Sequence, residues 1–133
     1  MKNVQRAFDE SGGNIQGFPQ AAAPRESDLC WARLREGELP PMMFQMRLSD
    51  GRLVSYPYSD LREIRCRDAG RVQLFLLGLE RLVVTIEGRR LRELANLLSR
   101  AMILWIEEAD PRDLSKPESV PEIVKISIEK FVE

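Results

Sequence analysis

The chain has 133 residues, of which 44% are apolar and 31% charged, with 20 basic and 21 acidic side chains and a net charge of −1. That balance is globular, and the length fits one compact domain with tails. The chain has no histidine, which excludes Ser-His-Asp and Cys-His hydrolysis, His-ligated zinc or haem, and imidazole pH switching.

Residues 1–26 read as a disordered tail. Gly12, Gly13, Gly17, Pro19 and Pro24 punctuate them, and they hold no sustained period. They contain no apolar signal-peptide core, and nothing in the chain approaches the roughly 18 apolar residues of a membrane span. A cytoplasmic protein is the expectation. A helix is expected over 27–36: Ser27 can cap it, Cys30, Trp31 and Leu34 share one face, and Gly37 with Pro40 and Pro41 stops it.

From residue 42 the period changes to two. Phe44, Met46 and Leu48 alternate with polar neighbours, Asp50-Gly51 marks a tight hairpin, and 52–56 returns as a second strand ended by Pro57. Further strands are expected over 61–67, 72–76 and 82–87, with a turn at Asp68-Ala69-Gly70 and a corner at Gly78. Then Leu91, Leu94, Ala95, Leu98 and Met102 repeat at helical spacing, predicting one amphipathic helix over about 89–101. Ile103-Leu104-Trp105-Ile106 favours a buried strand, because β-branched and aromatic side chains suit one. The core domain is expected over 27–108. An acidic, proline-rich linker follows over 109–121, then a C-terminal edge strand over 122–131 with Val124, Ile126 and Ile128 on one face. That strand either returns to the parent sheet or augments another subunit's edge. The fold class is α+β: an antiparallel meander or roll of five to seven strands with one helix.

Chemistry is then sought residue by residue. Cys30 and Cys66 are 36 positions apart and outside any CxxC pattern, so they read as free thiols, with buried small hydrophobes as the simplest role. The chain lacks a phosphate-binding P-loop, a dinucleotide fingerprint, a nucleophile elbow and a calcium loop. Glu107, Glu108, Asp110 and Asp113 follow the core on consecutive loop positions, and Glu36 and Glu38 flank Gly37. These carboxylates read as a solvated surface rather than a converging pair. The expectation is therefore no catalytic residues, no metal and no cofactor.

The charge is uneven. Residues 31–100 hold 13 Arg against 9 acids, a balance of +4, while 101–133 hold 4 basic and 8 acidic residues, a balance of −4. The basic body culminates in Gly88-Arg89-Arg90-Leu91-Arg92, which places three arginines at the expected helix start. Free backbone N–H groups and guanidinium forks there would suit a phosphate, a carboxylate or an acidic peptide. The same arginines can instead pair with Glu93 or Glu87 or lie over the sheet edge. Tyr56-Pro57-Tyr58 offers a second candidate, an aromatic binding lip, or else a hairpin corner packed on the core. Arg65, Arg67 and Arg71 with Phe75 form only an interrupted basic patch, broken by Glu63 and Asp68, so nucleic acid is not an expected partner.

A strand-rich meander followed by one late helix resembles the pleckstrin-homology-like superfold. Lipid-binding members carry several basic residues in the first hairpin loop, whereas Ser49-Asp50-Gly51-Arg52 is tight and holds one Arg. The segments Asp50-Gly51, Tyr58-Ser59-Asp60-Leu61, Gly88-Arg89-Arg90-Leu91 and Ile106-Glu107-Glu108 look like those of a group of small bacterial proteins of unknown function, over about residues 33–108. That likeness implies no activity. The expected function is a non-catalytic interaction module that binds a protein or an acidic ligand through Gly88, Arg89, Arg90 and Arg92. Tyr56 and Tyr58 form the second candidate surface. The alternative is a self-assembling protein, a homodimer joined by its C-terminal strand.

Overall fold

A computed structural model describes residues 29–113 and 116–131. The fold is α+β, with eight strands and one α-helix among the described residues. In chain order these are β1 (Trp31–Arg33), β2 (Met43–Arg47), β3 (Leu53–Pro57), β4 (Leu61–Asp68), β5 (Arg71–Leu77), β6 (Arg81–Arg89), α1 (Arg92–Ser99), β7 (Ile103–Glu107) and β8 (Glu122–Lys130). The expected tail, residues 1–26, lies outside the described residues, as does Ser27.

The strands form two four-stranded sheets, ordered β1, β7, β2, β3 and β4, β5, β6, β8. The meander from β2 to β6 has the expected elements but not one continuous sheet. After Pro57 a short 3-10 turn at Tyr58–Asp60 carries the chain from the first sheet to the second. One pairing is parallel: β7 enters between β1 and β2, with Met46 opposite Ile106. The alternation read from Phe44, Met46, Val72, Leu74, Val84 and Ile86 holds, and all six side chains are buried in the shared core.

The first expected helix is a strand instead. Trp31 lies opposite Ile106 and Ala32 opposite Trp105. The Glu107 amide donates to the Cys30 carbonyl at 2.8 Å and the Leu34 amide to Met102 at 2.6 Å. Three residues are too few to display a two-residue period, and pairing with β7 overrides the local pattern. Gly37 has φ +88°, but it serves a turn closed by the Glu38 amide on the Arg35 carbonyl rather than a helix end.

The second helix is shorter than expected. Gly88 and Arg89 continue β6, opposite Ile123 and Glu122. Arg90, at φ +57°, then turns the chain. The helix begins only at Arg92, with Leu91 as its N-cap. Of the apolar stripe read from the sequence, Leu91, Leu94, Ala95 and Leu98 are buried, joined by Leu97, while Met102 lies beyond the helix end. It ends in a Schellman arrangement. The Met102 amide reaches the Leu97 carbonyl at 2.9 Å and the Ala101 amide reaches Leu98 at 3.1 Å. Ala101, not glycine, occupies the left-handed position at φ +56°.

β8 returns to the parent sheet and pairs with β6 from Leu82 to Arg89. Its inward residues are Ile123 and Ile126, with Ile128 partly buried against the same core, while Val124 is 61% exposed. The register slips between Glu87 and Gly88, so Lys125 faces Glu87 while Ile123 faces Gly88. This bulge moves the buried position back from Val124 to Ile123. Gly88 permits it, because a Cβ there would overlap the Glu122 carbonyl. Ile123 and Ile126 belong to the core cluster, so the packed unit extends past residue 108 to β8. Among the described residues no helix is long and apolar enough to cross a membrane.

Candidate functional site

The chain segment 116–122 meets the arginines singled out by the sequence. Arg89 donates from Nε to the Val120 carbonyl at 3.1 Å and from Nη2 to Pro117 at 3.0 Å and Lys116 at 3.4 Å. The Glu122 carboxylate stands 3.7 Å from the same Nη2. Arg90 donates from Nε to the Glu118 carbonyl at 2.8 Å. Guanidinium forks suit such multiple donation. Gly88, Arg89 and Arg90 are thus brought together at the end of β6, where they clamp the approach to β8. Arg92 is separate from them, exposed on the first helical turn. The arginines therefore do not share a helix N-terminus, and Glu93 lies 4.0 Å from Arg33 rather than beside Arg89.

Tyr58 is a core-packed corner. Its ring centroid lies 5.1 Å from that of Phe44. Its hydroxyl donates to the Ile103 carbonyl at 2.7 Å and accepts from the Ile103 amide at 3.0 Å. Burial pushes the phenol up to about 12, with the bond to Ile103 acting in the opposite sense. Tyr56 lies 6.4 Å from Phe44 and lines a surface cleft of about 410 Å³ with Asp60, Leu76, Gly78, Leu79, Glu80 and Leu82.

The carboxylates at the end of β7 and just after it do gather at one place. Glu107, Glu108, Asp110 and Asp113 line a cleft of about 320 Å³ with Ser49, Gly51 and Lys116. Glu108 is committed to holding the two sheets together. Its Oε1 accepts from the Ser49 amide at 2.8 Å and its Oε2 from the Ile126 amide at 2.7 Å. Burial raises this carboxyl, but the two backbone donors outweigh burial and leave it below its ordinary value. Next to it the Ala109 amide donates to the Ile123 carbonyl at 2.8 Å. No cluster of three or more potential metal ligands occurs among the described residues. The two cysteines are free thiols. Burial pushes Cys30 up to about 11, and its Sγ lies 3.6 Å from the Pro121 carbonyl. Arg65 is held by the Glu63 carboxylate and lies over Phe75.

The surface that sequence reading missed is the end of the β5–β6 hairpin. Leu77 and Phe131 are about half-exposed and Leu79 is fully exposed. The Phe131 amide donates to the Arg81 carbonyl at 2.8 Å, which brings the chain end of β8 beside the hairpin. Together Phe75, Leu76, Leu77, Leu82 and Phe131 form an apolar groove of about 140 Å³, with Arg62 and Arg81 at its walls. Glu80 at the turn pairs with Lys130 at 3.3 Å. The available signal was Leu77-Gly78-Leu79, where an apolar residue stands at a turn tip that normally favours polar ones. Comparison with protein-family models, with curated proteins and with solved structures finds no match to this chain.

Proposed function

We propose that the protein is a non-catalytic interaction module whose binding surface is the end of the β5–β6 hairpin. One observation carries this reading: Leu77 and Phe131 flank an apolar groove that has arginine on its walls, and Leu79 stands fully exposed at the tip of the same hairpin. Grouped exposed apolar side chains mark interaction surfaces more often than scattered ones do. A central apolar anchor with a charged rim is the common anatomy of such surfaces. The groove holds about one large side chain. The matching partner is a protein segment that offers an apolar residue beside a carboxylate.

The clamp at Arg89 and Arg90 has a supporting role in this reading. It fixes the approach to β8, and β8 delivers Phe131 to the groove. An acidic ligand at those arginines would first have to displace residues 116–120. In-cell photo-crosslinking tests the proposal. A photoreactive residue at position 79 is expected to capture a protein, while the same residue at position 124 captures none. Val124 is also exposed, but it lies on the same strand roughly 20 Å from Phe131. Equal yields at both positions, or none at 79, would contradict the proposal.

A further inference from the structure

We infer that the chain carries its own ligand for the groove: Phe8 enters between Phe75, Leu77 and Phe131, and Asp9 and Glu10 meet Arg62 and Arg81. This rests on the module reading above for the groove itself, and adds regulation, since a partner segment must displace residues 8–10. Residues 1–28 lie outside the described residues. Within them Phe8 is the one large apolar residue with a carboxylate beside it, which is the chemistry the groove selects. Ile15 stands between Asn14 and Gln16, and Phe18 between Gly17 and Pro19, so neither brings an acid to the arginines. The groove is complementary in size and charge. Its volume of about 140 Å³ holds one aromatic ring, and Arg62 and Arg81 stand at its walls. Arg62 forms no ion pair with a described residue, so its charge is open to an incoming carboxylate.

The length of chain permits the contact. The Cys30 Sγ lies 3.6 Å from the Pro121 carbonyl, just before β8. The groove is at the far end of β8, beside Phe131, roughly 33 Å along an extended strand. Phe8 and Cys30 are 22 positions apart in sequence. A coil of that length has a root-mean-square span of about 25 Å and reaches about 70 Å at full extension. A tether whose span is close to the separation holds its ligand at an effective concentration in the millimolar range, so even a weak contact is populated.

The experiment uses the purified full chain and its nitrogen-15 amide spectrum at two concentrations. Phe8→Ala is expected to shift amides at 62, 75–77, 81–82 and 131, far from residue 8 in sequence. Asp9→Lys with Glu10→Lys is expected to shift the same amides. Neither variant changes a residue of the packed core. A synthetic peptide of residues 4–12 is the probe added in trans. It is expected to bind the Phe8→Ala chain at those amides, and the wild type several-fold more weakly, because the chain's own segment competes. Wild-type and Phe8→Ala spectra that agree at those amides would overturn the inference. So would shifts confined to another surface, or equal peptide affinity for the two chains. Shifts that vanish on dilution would place the segment on a second copy and overturn it as well. If the groove amides do not respond while position 79 captures a protein in cells, the inference fails and the module reading stands. If the segment docks while position 79 captures nothing, the groove serves its own chain alone and the module reading fails.

Discussion

At Tyr58 a single hydroxyl serves as donor and acceptor for the same residue, Ile103. Tyr58→Phe removes a hydrogen-bond partner from both backbone groups of Ile103 and is expected to cost about 1–3 kcal/mol in chemical denaturation. The phenol also sets an alkaline limit. Its value is raised from 10.0 to about 12 on folding, so its contribution is complete below pH 10 and is lost as pH rises toward 12. Tyr58→Phe should remove that part of the alkaline destabilisation. Glu108 behaves in the opposite sense. Its carboxyl is lowered on folding, so the stabilisation is present above the ordinary value of 4.5 and is lost as pH falls below it. Glu108→Gln keeps only one acceptor oxygen for two amides. It is expected to destabilise the fold at neutral pH and to flatten the acid limb of the stability profile. Ala101 gives a prediction of the other sign. Its left-handed φ of +56° closes the helix, so Ala101→Gly should relieve strain and raise stability by about 0.5–1 kcal/mol.

At the scale of elements, β8 depends on a glycine and a clamp. Gly88→Ala forces its new methyl against the Glu122 carbonyl and should cost about 1–3 kcal/mol, because backbone rather than a flexible side chain is in the way. Arg89→Ala removes donors to the carbonyls of 116, 117 and 120. Its expected signature is local: faster amide exchange at Val120 and Ile123, with little change in β5. These elements also mark what the sequence could disclose. Strands β2 to β6 and the α1 stripe were legible because each carries its period over five or more residues. β1 was not, since three residues paired with a distant strand carry no period. The start of α1 was misplaced because Gly88-Arg89-Arg90 resembles a helix entrance locally, while its geometry is set by residues 117–123, far along the chain. Within β8, Ile126 and Ile128 face the core as expected, and only Val124 was misread, for the same reason: the bulge opposite Gly88 exists only in the pairing.

At the scale of the whole molecule, the charge asymmetry acquires a physical meaning. The acidic C-terminal quarter does not stay apart from the basic body. It is drawn back by Arg89 and Arg90, pinned at Glu108 and Ala109, and laid along β6 as the outer strand. That return carries Phe131 to the end of the β5–β6 hairpin, which is how two segments about 50 residues apart build one apolar surface. The candidate site was illegible in the sequence because it needs both segments, and neither Leu79 nor Phe131 sits in a motif. The central claim is that this assembled surface binds protein. The most direct measurement is the crosslink yield from position 79 in cells, compared between the otherwise wild-type chain and Phe131→Glu. Phe131 is exposed enough for the fold to tolerate the change, and its link to the sheet is through its backbone amide. The account requires a strong product from the first and a product reduced roughly tenfold or more in the second; equal yields would contradict it.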